Sequence, residues 1–244
     1  MLDWTAEDRR LLGRTSRLSV AAIVAATLLL EVRVLLTASS YTRSSPATLL
    51  VYVMPQTLML AVPVGFALGV FIGLGGRIVS RRSTGAVLAL AIVCSVVLFG
   101  TIASLVPAAN RACRESLAGD GTSRPGTNEL TLSELRQQRD SVMRAGLPSD
   151  ARKLGVYYHT RWALSCAPLA LTLVALSVVT RRHVRRSILG VAFCGALVSY
   201  YLLFRAGTEA GLHGALPAFA AAWLPNVVFA VVSAAVTKIH SRSS

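Results

Sequence analysis

Six apolar stretches of membrane-spanning length, three before and three after one polar insert, constrain this chain more than any other feature. A bilayer core takes ~20 helical residues to cross. Inside it every backbone N–H and C=O must find a partner, which a helix supplies within its own segment. The stretches fall near 18–38, 48–75, 86–107, 161–180, 187–204 and 218–238. They predict an all-α integral membrane protein with six transmembrane helices, grouped three and three. A short extracytoplasmic insert over 108–160 carries one amphipathic helix.

The chain has a formal charge of +14 and a mean hydropathy of +0.59. In a soluble protein that basic excess would suggest nucleic acid. Here the cations sit in short segments between apolar runs, where the positive-inside rule puts them, so no nucleic-acid partner is needed to explain them. With the N-terminus inside, the inner segments hold Arg9, Arg10, Arg14, Arg17, Arg77, Arg81, Arg82, Arg181, Arg182, Arg185, Arg186, Lys238 and Arg242. The short outer segments hold only Arg43 and Arg205. The expected order is a cytoplasmic segment 1–17, helices one to three over 18–107, the insert 108–160, helices four to six over 161–238, and a cytoplasmic tail 239–244.

The basic start and first apolar run resemble a signal peptide, but no small-residue cleavage site follows and the run is long enough to span. Glu31 and Arg33 lie in its outer half, where a charge is costly unless paired, wet or close to the interface. Spaced i, i+2, they do not face each other, so each needs a partner elsewhere or a route to the surface. The second run contains Pro55 and Pro63, which predict kinks. Gly65, Gly69 and Gly73 follow on one helical face. They read either as a close-packing surface for another helix or as small residues in a glycine-rich chain. Within the insert, 115–128 has loop composition. Thr131 with Glu134 forms a capping-box signature, and Leu132, Leu135 and Val142 mark an amphipathic helix near 131–145. That helix reads as a membrane-surface element or as a solvated connector.

Nothing in the chain calls for a cofactor or a metal. Cys94, Cys113, Cys166 and Cys194 have no CxxC spacing, and the four histidines are scattered. There is no paired intramembrane carboxylate, no Ser/His dyad and no GxxxxGK[ST] loop, so the chain reads as a non-enzyme.

A series of short motifs remains. Run three ends Val106-Pro107-Ala108-Ala109-Asn110-Arg111. Run six opens with Leu216-Pro217, then Ala221-Ala222-Trp223-Leu224-Pro225-Asn226. Between and around them stand Pro55 and Pro63, Leu74-Gly75-Gly76-Arg77, Thr131 to Arg136, His159-Thr160-Arg161 and Tyr200-Tyr201. In this order the chain resembles the LptF/LptG (YjgP/YjgQ) permeases of lipopolysaccharide export. The resemblance implies a permease-like subunit of an ABC-type exporter in the bacterial inner membrane. It also implies a second permease subunit, identical or different, and a separate cytoplasmic ATPase. The cargo would be lipopolysaccharide or a related amphiphile. Lipid A phosphates suit cations, which makes Arg33 the expected headgroup contact, with Arg43 and Arg111 beside it. Snorkelling, or pairing with the partner subunit's Glu31, is the other reading of Arg33. Pro107 and Asn110 are expected to cap the third helix at its exit from the membrane. Trp223, Pro225 and Asn226 are expected to form an interface-anchored helix start.

Two departures stand against the family pattern. The family carries a periplasmic β-jellyroll between helices three and four, whereas the insert here is too short for one. The family also has a cytoplasmic coupling helix between helices two and three, where this chain has a basic loop, 76–85. A non-transporting scaffold or regulatory subunit built on the same bundle is therefore the alternative function.

Overall fold

Helix accounts for almost all of what the computed structural model describes, namely residues 6–38, 46–75, 80–118, 126–179 and 185–242, and no strand occurs among them. In chain order these are α1 (Ala6–Ala38), α2 (Pro46–Leu74) and α3 (Arg81–Gly100), followed by a π-helical turn (Thr101–Leu105) and α4 (Val106–Ala118). A 3-10 turn (Thr127–Glu129) leads to α5 (Leu132–Arg144), α6 (Pro148–Ser165), α7 (Ala167–Val179), α8 (Arg186–His213) and α9 (Ala218–Arg242). The segments Asp8–Arg33, Val53–Leu74, Arg82–Glu115, Ser187–His213 and Ala218–Lys238 are each long and apolar enough to cross a membrane. The pair α6–α7, bent by 45°, makes a sixth such span. Arg43, Arg77, Arg181, Arg182 and His183 lie outside the described residues.

The bend has a sequence cause. Pro168 has no N–H to donate to Leu164, four residues back, so the ladder breaks just before it. The Cys166 N–H turns instead to the Ala163 carbonyl (3.1 Å). Beyond the break, α7 is the axis of the bundle, with α2, α3, α8 and α9 packed on it. Leu171, Thr172, Val174, Ala175 and Leu176 are all buried, while Leu169, Leu173 and Val178 are partly exposed. Phe71 of α2 and Phe193 of α8 stack with ring centroids 4.6 Å apart.

The glycine face of α2 is the seat of α1. A Cβ on Gly65 would lie 2.6 Å from the Ile23 backbone nitrogen, and one on Gly69 only 2.3 Å from the Ser19 Cα. One on Gly73 would lie 2.6 Å from Thr15 Oγ1. The two backbones approach so closely that Ser19 Oγ donates across the interface to the Phe66 carbonyl (3.3 Å). Beyond Gly73 at the open end of the hairpin, Asp8 of α1 accepts from Ser83 Oγ (2.5 Å) and Ser80 Oγ (3.0 Å). Ser80 in turn caps α3 by accepting from the Ser83 N–H.

Two expectations about prolines are corrected. Pro107 does not end the third helix, which continues as α4 to Ala118. The turn before it widens to π geometry, with the Val106 N–H donating to the Thr101 carbonyl, so the ladder passes a residue that cannot donate. Nor do Trp223, Pro225 and Asn226 start the last helix. α9 begins at Ala218, and its first carbonyl acceptor is Pro217, which takes the Ala221 N–H at 2.9 Å. Pro225 and Asn226 lie two turns inside it, both buried.

Candidate functional site

Four consecutive backbone carbonyls, at 127 to 130, are each held by a side chain from a neighbouring helix. Asn110 Nδ2 of α4 donates to Asn128 (3.0 Å), and Arg111 Nε donates to Glu129 (2.8 Å). Arg161 of α6 reaches in from the other side, its two terminal nitrogens donating to Leu130 and to Thr127 (3.0 Å). The Arg161 side chain is buried, so a charge-assisted bond to a carbonyl is what makes its position tolerable. Arg114 adds an ion pair with Glu129 (2.7 Å).

The same clamp fixes α5. Thr131 accepts from the Glu134 N–H, and the Glu134 carboxylate accepts from the Thr131 N–H (2.7 Å), the reciprocal capping box read in the sequence. Arg111 then pairs with Glu134. The Thr131 N–H, its hydroxyl and the Arg111 charge together hold the Glu134 carboxyl below its ordinary range, against a smaller opposing effect of burial. Leu135 packs with Leu130 and Leu154, seating α5 on α6.

A second node supports the α6–α7 bend. Asn226 Nδ2 donates to the Ala163 carbonyl (2.8 Å), one of the groups loosened by the break, while Asn226 Oδ1 accepts from Tyr200 Oη (2.8 Å). One buried amide thus ties α6, α8 and α9 together.

Next to this node lies an apolar cleft walled by α2, the α6–α7 bend and α8. Leu60, Pro63, Leu164, Leu171, Tyr201 and Phe204 are among its lining residues. Along the cleft-facing stripe of α2 the next polar positions toward the N-terminal end are Gln56 and Thr57. Gln56 Nε2 donates to Asn110 Oδ1 (2.7 Å) and so joins the stripe to the clamp. Thr57 donates to Glu31 Oε1 of α1 (2.7 Å), while Glu31 Oε2 is buried without a hydrogen bond. Arg33, two residues on, is exposed. Beside the clamp, Gln56, Asn110, Arg114 and Asn128 line a polar recess of about 570 Å³.

The structure therefore engages both Asn110 and Arg111 in the clamp, places Arg33 on the exposed surface of α1, and keeps Pro107 and Pro225 within helices. Arg111 is committed to Glu129 and Glu134. Sequence reasoning did not assign Arg161, although the His159-Thr160-Arg161 motif was visible. An arginine at the start of an apolar run reads as a boundary residue, and its targets are carbonyls some thirty positions away, which carry no side-chain signature. Trp223 stacks on Phe219 (5.8 Å) rather than entering the site.

Residues 118–238 match the family model described as Lipopolysaccharide export system permease LptF/LptG. The matched stretch runs from the end of α4 to near the end of α9, and includes the clamped carbonyls, Arg161, Tyr200 and Asn226. No curated protein matches the chain.

Proposed function

The chain belongs to the lipopolysaccharide export system permease LptF/LptG family, and from that premise we propose that it is one membrane subunit of an ABC-type exporter. It would lie in the bacterial inner membrane with both termini cytoplasmic, beside a second permease subunit and a separate cytoplasmic ATPase. Its cargo is lipopolysaccharide or a related amphiphile. The observation that supports this best is the continuity of the α2 stripe. A small apolar cleft of about 50 Å³ lies one turn along α2 from the Gln56–Asn110 bridge, a foothold for part of an acyl chain. Arg33 of α1 is the cation that would meet phosphate. Arg43, in the short connection after α1, is the second cation on this side. Arg111 contributes by holding the clamp rather than as a free donor.

A second reading, a non-transporting scaffold or regulatory subunit, is favoured by the inner connection. The connection between α2 and α3, residues 75–80, is short beside a coupling helix of the family type. One experiment separates the two. The complex is purified from native membranes in mild detergent, and ATP hydrolysis is measured with and without lipopolysaccharide. Transport predicts a co-purifying ATPase stimulated by the lipid. It also predicts that photocrosslinking to lipopolysaccharide falls about fivefold in Arg33→Ala, the worth of one cation near an anionic headgroup. Absence of both the ATPase and its stimulation would leave the scaffold reading. Unchanged crosslinking in Arg33→Ala and Arg43→Ala would remove the headgroup assignment.

A further inference from the structure

A groove of about 690 Å³ opens between α3, α7 and α9, lined by other side chains than those of the α2–α8 cleft. It lies at the end of the bundle where α3 begins and where α7 and α9 finish. Its floor is apolar, with Leu88, Leu173 and Leu176 facing Ala230 and Ala234. Lys238 lines it at the last residue of the α9 span, and so stands at headgroup level when that span crosses a bilayer.

The hydroxyls around the groove are spent internally, with one exception. Thr84 donates to the Ser80 carbonyl (3.1 Å), Ser177 to Val174 (2.8 Å) and Thr237 to Ser233 (2.8 Å). Ser233 is 4% exposed, and its Oγ has no hydrogen-bond partner. A buried donor left unmatched beside an open groove gains stability when an acceptor reaches it. Ser233 and Lys238 both line the groove from α9.

We propose that this groove binds one anionic glycerophospholipid. Its phosphate would sit at Lys238, an ester carbonyl would accept from Ser233 Oγ, and an acyl chain would lie on Leu88, Leu173 and Leu176. The occupant is an amphiphile rather than a free anion, because Leu88, Leu173 and Leu176 make the floor apolar and the hydroxyls of Thr84, Ser177 and Thr237 are bonded to their own helices. The site needs only the membrane placement of the bundle. It does not depend on export, and it takes a lipid on a different face from the cargo cleft.

The test is native mass spectrometry of the full chain, delipidated in detergent and then reconstituted with dioleoylphosphatidylglycerol or dioleoylphosphatidylcholine. The unaltered chain is expected to retain one phosphatidylglycerol and to prefer it over phosphatidylcholine. Ser233→Ala, which removes the donor without adding volume, should weaken retention of both lipids about fivefold. Lys238→Gln, at an exposed position near the end of α9, should weaken retention about fivefold and abolish the headgroup preference. Equal retention of both lipids by the unaltered chain, or unchanged retention in Lys238→Gln, would overturn the proposal. So would capture of a second polypeptide, rather than lipid, by a photocrosslinker placed at Ala234.

Discussion

Glu134 shows how much one carboxylate coordinates here. It closes the α5 capping box and receives Arg111, so its charge links the helix end to the clamp. Its folded-state pKa is depressed. The stabilisation it gives is therefore present above the ordinary glutamate value of about 4.3, and is lost as pH falls through the lower folded value. Amide exchange over residues 127–135 is expected to be slow from neutral pH down to about 4.3 and to accelerate at more acid pH, after correction for intrinsic rates. Glu134→Gln should remove most of that pH dependence; a profile identical to that of the unaltered chain would show that the carboxylate plays no part. This residue was legible in advance, because a capping box is local and needs only positions i and i+3. Asn226 was not. Its partners, the Ala163 carbonyl and Tyr200, are separated from it by 63 and 26 residues, and nothing in its own neighbourhood signals them.

Among the elements, the α1–α2 hairpin is the most demanding. Gly69 leaves no space for a side chain, since its virtual Cβ meets the Ser19 backbone rather than a movable tip. Gly69→Leu is expected to push the helices apart and cost about 1–3 kcal/mol, the usual range for overpacking. Gly100→Leu, where nothing lies within 4 Å, should cost far less. Thermal unfolding in detergent, followed by size-exclusion peak height, compares the two variants; equal losses would mean that the glycine face is not a packing surface. The spacing of the three glycines was legible, but their partner helix was not, because lipid-facing and helix-facing apolar residues look alike in sequence. The beginning of α6 was also hidden. Hydropathy marks where a helix becomes apolar, whereas α6 starts at Pro148 and runs through Arg152, Lys153 and Tyr157 before it does. Pro168 signals the bend only when it is known to be packed inside a bundle.

For the whole molecule, the arrangement around α7 places the clamp, α5 and the start of α9 at one end, with Asp8, Ser83 and Lys238 at the other. The positive-inside distribution predicts that the clamp end faces the periplasm. In a background with Cys94, Cys113, Cys166 and Cys194 replaced by alanine, Gln137→Cys should react with a membrane-impermeant maleimide once the outer membrane is permeabilised. Arg9→Cys should react only after the inner membrane is opened, and the reverse pattern would invert the topology. Six spans and their grouping were legible because hydropathy acts over whole segments. What joins them at the outer end was not, since the clamp grips main-chain oxygens. That choice of target has an evolutionary consequence. Every residue type offers a carbonyl, so positions 127 and 128 can drift while α4 and α6 keep their registration, whereas Glu129 is held by Arg114 and Leu130 by Leu135. The bundle is thereby insulated from whatever chain enters the clamp, and a lineage can lengthen, shorten or exchange the segment between Ala118 and Gly126 without renegotiating the helices beneath it.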